Sequence, residues 1–230
     1  MKTFFQRKGK CMTMKTEELL NSILESFDRI DYIKSEDIPN IDLYMDQVTT
    51  FMDNRMRHKT RNPEEDKVLT KTMINNYAKN DLLPPPVKKK YSKEHMLVLI
   101  FIYYFKNILS IGDIQSILNP LTDRFFGKTD DFNLTKVYDE VFRWEDEQVE
   151  VLKKDVTERY LAAQNSFSDA PEDAQEFLQY FSFICLLSFD VYVKKQLIEK
   201  LIDDLAKKTE EQKSEPKKEK AKAKQSKEEQ

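Results

Sequence analysis

The chain has 230 residues, 40% of them hydrophobic, with 15 Phe and 10 Tyr, enough for a packed core and too apolar for wholesale disorder. Its three glycines, Gly9, Gly112 and Gly127, lie far apart, so no glycine-rich loop can cradle a nucleotide; with 34% charged residues the composition points to a mostly helical protein. The formal charge of −3 is uneven: Arg55 to His95 holds 11 Lys and Arg against 5 Asp and Glu, a local +6 beside −9 in the remainder.

Residues 1–13 are polar and read as a flexible N-terminus, with too short an apolar stretch in "MKTFFQRKGK" for a secretory signal. Cys11 and Cys185 have no metal-ligand spacing, fit a reducing cytoplasm, and Cys185 reads as a small buried hydrophobe. Residues 14–37 carry an N-terminal helix opened by Thr16, with Leu19, Leu20, Ile23, Leu24, Phe27 and Ile30 at helical spacing. "IDLYMDQVTTFMDNRM" predicts a second helix, and "RHKTRNPEEDKV" a charged loop. Thr70 can cap a third helix over Lys71 to Asn80. Its apolar face holds Met73, Ile74 and Tyr77, and its polar face Thr72, Asn75, Asn76 and Lys79.

A rigid elbow follows, Leu82-Leu83-Pro84-Pro85-Pro86, and then Lys88, Lys89, Lys90 and Tyr91. Ser92 starts the apolar helix "KEHMLVLIFIYYFKNIL", and Ser110 caps a short one that Pro120 is expected to close. A single helix is predicted from Leu134 to about Gln164, carrying Val137, Val141, Trp144, Leu152, Val156 and Tyr160. A further helix starts at Asp169 and Pro171 and runs to about Lys207. Its richest run, Tyr180 to Val193, is interrupted by Asp190, falls short of a membrane span and reads as a buried helix. Trp144 and the aromatics from Phe177 to Tyr192 read as core in preference to an effector pocket. The last 24 residues from Lys207 hold 9 Lys and 6 Glu, and 208–230 are expected to be a disordered tail.

Thr70 to Leu118 resembles the DNA-binding head of the mercury-resistance-regulator (MerR) family. There a capped recognition helix ends in a leucine pair and prolines, and a basic wing leads into a third helix. A fourth short helix, here "SIGDIQSIL", begins with Ser. Ile41 to Asn54 matches more weakly as the first helix of the pair. The chain departs from that pattern with Thr72 and Asn75 in place of arginines, Asp81 in place of a glycine, a shorter wing and a longer loop from Arg55 to Leu69. "IDLYMDQVTTFM", "LTKTMINNYAKNDLLPPP" and "KKKYSKEH" look more closely like an uncharacterised bacterial domain-of-unknown-function family, which brings no activity with it.

These resemblances imply an all-α fold with at most a minimal β wing. A MerR-like winged helix-turn-helix head occupies 38–127, and a C-terminal helical pair at 128–207 would serve dimerisation or sensing. The expected DNA-binding residues are Thr70, Lys71, Thr72, Asn75, Asn76, Tyr77, Lys79, Lys88, Lys89, Lys90 and Tyr91, with auxiliary contacts from Arg57, Lys59 and Arg61. The chemistry is plain. A helix N-terminus and hydroxyls suit phosphate, asparagine amides suit an adenine edge, and lysines neutralise the backbone. The bland alternative is a solvated face and a solubility run, and Tyr77 suits packing as well as it suits phosphate.

Double-stranded DNA is therefore the expected partner, with a homodimer, a small effector or a protein partner in addition, and no membrane. No nucleophile–base constellation, metal set or cofactor motif stands out, so an enzyme is not expected. His58 reads as exposed and His95 as a helix-start residue. The competing reading is a helical adaptor that keeps the head fold without DNA binding.

Overall fold

The computed structural model describes residues 16–27 and 32–228. Helix α1 is Thr16–Phe27, strand β1 Leu43–Tyr44, helix α2 Met45–Met56 and helix α3 Lys71–Lys79. Strand β2 is Lys90–Tyr91, and helices α4 Lys93–Phe105, α5 Ile111–Phe125, α6 Leu134–Phe142, α7 Glu145–Gln164 and α8 Glu172–Glu228 follow. The fold is mostly α, with one two-stranded antiparallel sheet that registers Leu43 with Tyr91 and Tyr44 with Lys90. The flexible N-terminus expected at 1–13, Cys11 and Ile30 lie outside the described residues.

The chain divides into two compact units. Among the described residues one comprises 32–144 and 188–228, the other 16–27 and 145–187.

In the first unit α4 is the hub. Its sequence is apolar all round, and every residue from Met96 to Tyr103 is buried, as a helix enclosed on all sides requires. Val48, Met52 and Met56 of α2, Ile74 of α3, Ile114 and Leu118 of α5, Leu134 and Tyr138 of α6, and Ile202 of α8 share its core. Each such aliphatic side chain contributes about 1.5–3 kcal/mol when fully buried. Tyr32, Phe101, Tyr138 and Phe142 form an aromatic knot with ring centroids 4.6–6.5 Å apart. The Tyr138 hydroxyl donates to the Ile33 carbonyl, so the segment after α1 joins this core.

In the second unit Leu19, Leu20, Ile23 and Phe27 of α1 pack with Val156, Tyr160 and Ala163 of α7 and Phe183 of α8.

Several expectations need correction. The second helix starts at Met45, because Leu43 and Tyr44 are held extended by pairing with β2, and the Tyr44 N–H is capped by Gln47 Oε1 at 2.8 Å. Pro120 does not close α5. Leu118 is buried, and Leu121, Phe125 and Phe126 pack on the core beyond it, which outweighs the missing backbone donor. The helix expected from Leu134 to Gln164 is two, parted at Arg143–Trp144, and Glu147 puts an acidic residue in the new first turn, where the helix dipole favours one. Trp144 is 48% exposed, not core, and Val141 is 56% exposed; the Arg143 guanidinium sits 4.6 Å over the Trp144 ring.

Helix α8 also differs. Phe177, Phe181, Ile184, Phe189 and Tyr192 are exposed, as is Cys185, so the run read as a buried helix is largely on the surface. Against the expectation that this segment falls short of a span, Glu172–Thr209 is long and apolar enough to cross a membrane by length and composition, and only 6% of its most apolar stretch is buried. The helix continues through the lysine and glutamate tail to Glu228, where disorder is expected. Lys, Glu, Gln and Ala are strong helix formers and need no core to favour that backbone.

Candidate nucleic-acid interface

Thr70 opens α3 as expected: its extended backbone leads into the helix and its Oγ1 accepts from the Met73 N–H at 3.1 Å. Ile74 is fully buried, and Met73 and Tyr77 pack against the core, which pushes the Tyr77 hydroxyl pKa up by desolvation. The helix therefore has one possible outward face. Lys71, Thr72, Asn75, Asn76 and Lys79 lie on it, all five exposed. Lys71 pairs with the Asp46 carboxylate of α2, while the side chains of Thr72, Asn75, Asn76 and Lys79 have no hydrogen-bond or ion-pair partner among the described residues.

The far end of α3 is closed by geometry that glycine usually supplies. Asp81 has φ +52°, and the Leu82 N–H reaches back to the Tyr77 carbonyl at 2.9 Å, the pattern of a Schellman cap. The Gln115 amide of α5 donates to the Asn80 carbonyl, another free end of the helix. Leu82 and Leu83 are then buried and carry the chain into the prolines.

His95 locks the elbow. The Ser92 N–H donates to His95 Nδ1 at 3.0 Å, with the Ser92 hydroxyl 2.8 Å from the same nitrogen, so Nδ1 is the acceptor. Nε2 is left to carry the proton toward the Pro85 carbonyl at 3.4 Å. The ring is buried between Tyr91 and Phe126, each edge-on within 5.5 Å. Burial pushes its pKa below the ordinary 6.5, partly offset by the Pro85 carbonyl and Asp42.

Beyond the elbow the chain makes a two-residue hairpin turn. Val87 and Lys90 exchange both backbone hydrogen bonds, at 2.9 and 3.1 Å, and Lys88 and Lys89 between them have φ +50° and +64°. Positive φ at both central residues marks a type I′ turn, normally Asn-Gly, and is strained for lysine. Both side chains are exposed and without partners among the described residues. Lys90 lies back with its Nζ 5.2 Å over the Tyr44 ring, and Tyr91 is 3% exposed. Tyr91 is therefore a core residue, removed from the expected contact set because β2 turns its ring inward against His95.

The loop before α3 is tied down rather than loose. Lys106 Nζ of α4 donates to the Val68 carbonyl at 2.9 Å and lies 5.0 Å over the Tyr103 ring, and burial lowers its pKa. Arg57 Nε bonds Asp53 at 2.8 Å, so its charge is shared within α2 and the turn after it. Lys59 closes the same 3-10 turn and is half-buried, whereas Arg61 is exposed.

Three features of the site are not legible in the sequence. The strand at Leu43–Tyr44 is too short to show periodicity, Asp81 and Lys88-Lys89 lack the glycine that normally announces positive φ, and His95 takes the capping place usually held by Glu or Gln.

No curated protein and no solved structure matches the chain. Residues 33–141, which hold β1 to α5 and nearly all of α6, match the family model described as a domain of unknown function (DUF1836), and it is to that family that this part of the chain is similar.

Proposed function

We propose that residues 32–144 form a duplex-DNA-binding head of a transcriptional regulator, a MerR-like winged helix-turn-helix in which α3 enters the major groove and the Val87–Lys90 turn touches phosphate. The observation that carries it is the pair Lys88 and Lys89, exposed, unpaired among the described residues and held at positive φ where glycine would be unstrained. A solubility run needs no such backbone. Strain retained at a cationic tip is better explained by what the tip contacts.

Thr72, Asn75, Asn76 and Lys79 supply the reading face, with the asparagines suited to adenine edges. Arg61 is an additional phosphate contact. Helix α8 would bring a second copy, so that two heads meet two half-sites. The experiment is fluorescence anisotropy of the intact chain with a random duplex over a range of salt concentrations, followed by site selection on wild type and Asn75→Ala. The reading expects steeply salt-dependent binding and a relaxed adenine preference in the variant. Salt-independent or absent binding rejects it.

A second reading, a helical adaptor, is favoured by Phe189, Leu197 and Leu201, which are 57–66% exposed on α8. Capture of a protein partner by a chain that ignores duplex DNA would select it.

A further inference from the structure

The unit built from α1, α7 and the first part of α8 contains a cavity of about 230 Å³ that the DNA reading does not use. It has room for about seven water volumes of ~30 Å³ each, which suits a small organic molecule. Phe183 and Tyr160 form its apolar floor, buried and in edge-on contact at 5.5 Å, and Tyr180 stands at the side.

The polar lining is weighted toward acceptors, the exceptions being the Tyr160 and Tyr180 hydroxyls and the Gln164 amide, which donates to the Tyr160 hydroxyl at 2.9 Å. Gln179 Nε2 donates to the carbonyls of Gln164 at 2.7 Å and Ser166 at 3.3 Å, and Gln175 Nε2 donates to the Phe167 carbonyl at 3.2 Å. A carbonyl only accepts, so the amide orientation is forced, and the Oε1 atoms of both glutamines are left as acceptors. Glu172 and Glu176, one turn apart on α8, add two carboxylates, and no lysine or arginine lines the cavity among the described residues. Acceptors, uncompensated negative charge and aromatic faces all favour the same ligand. A cation would also relieve the like-charge pair at i and i+4.

We propose that this cavity binds a small organic cation, an ammonium group carried on an apolar or aromatic body. The ammonium bonds Glu172, Glu176 and the two amide oxygens while the body rests on Phe183 and Tyr160. The site is independent of the DNA reading and stands or falls separately from it.

The test is calorimetric titration of the intact chain with phenethylamine, 2-phenylethanol and phenylacetate, which share a body and differ in head charge. Glu172 and Glu176 are both exposed, so phenethylamine is expected to bind at one site about tenfold more tightly than the alcohol, in keeping with two surface ion pairs, and phenylacetate most weakly. The double variant Glu172→Gln, Glu176→Gln should bring amine and alcohol together with its helix content unchanged by circular dichroism. Absence of amine binding, equal affinity for amine and alcohol in the wild type, or an amine preference that survives in the double variant would overturn the proposal.

Discussion

At the residue scale the head depends on a few side chains in conformations their types do not favour. Asp81 takes the left-handed place that closes α3, at φ +52°. Asp81→Gly should raise the unfolding free energy by about 0.5–1 kcal/mol, seen as a higher urea midpoint, because relief of strain exceeds the entropy glycine adds to the unfolded chain. A lower midpoint would mean that the aspartate makes a compensating contact. His95 gives a pH signature. Burial holds its folded pKa below the ordinary 6.5, so the unfolded chain binds the proton more readily. Its contribution is therefore complete above that value and is lost as pH falls below it. Urea denaturation on either side of that value, about one pH unit above and one below, should show the intact head weaker at the lower pH, and the difference should shrink in His95→Gln.

At the element scale, the short helix α3 is stable because it is fastened rather than because its sequence is a strong helix former. Thr70 caps one end, the Asp81 turn and Gln115 close the other, and Ile74 anchors the middle. Ile74→Ala should cost about 2–5 kcal/mol by thermal or urea unfolding, the range for deletion of a buried aliphatic. The caps Thr70 and Ser110, the apolar face of α3 and the uniformly apolar α4 were legible in the sequence, since capping and periodicity are local signals. Tertiary decisions were not. Pro120 stays inside α5 because distant core residues receive the helix beyond it, and Leu43–Tyr44 becomes a strand only because Lys90–Tyr91 lies beside it.

At the scale of the whole molecule, the sequence fell short where the chain chooses its surface. An apolar run such as Phe177 to Val193 reads alike whether it faces a core or awaits a partner, and periodicity cannot separate the two. Of the candidate site, the polar face of α3 and the lysines at 88 and 89 were readable. The inward turn of Tyr91 and the positive φ of the lysine pair needed the fold. Within α8, Leu197 and Leu201 are one turn apart and 57% and 60% exposed, which suits self-association. On the proposed pairing through α8, wild type should sediment as a dimer and Leu197→Ser with Leu201→Ser as a monomer without loss of helix content.

The most direct measurement of the central claim is the salt dependence of duplex binding by wild type and by the double variant Lys88→Asn, Lys89→Gly. That variant places the residues a type I′ turn prefers at the tip, so the head should fold at least as stably, while two cations are removed. The expected result is weaker binding to every duplex and a plot of log affinity against log salt that is shallower by ~1.8, about 0.9 for each phosphate no longer neutralised. An unchanged slope and affinity in the folded variant would contradict the account.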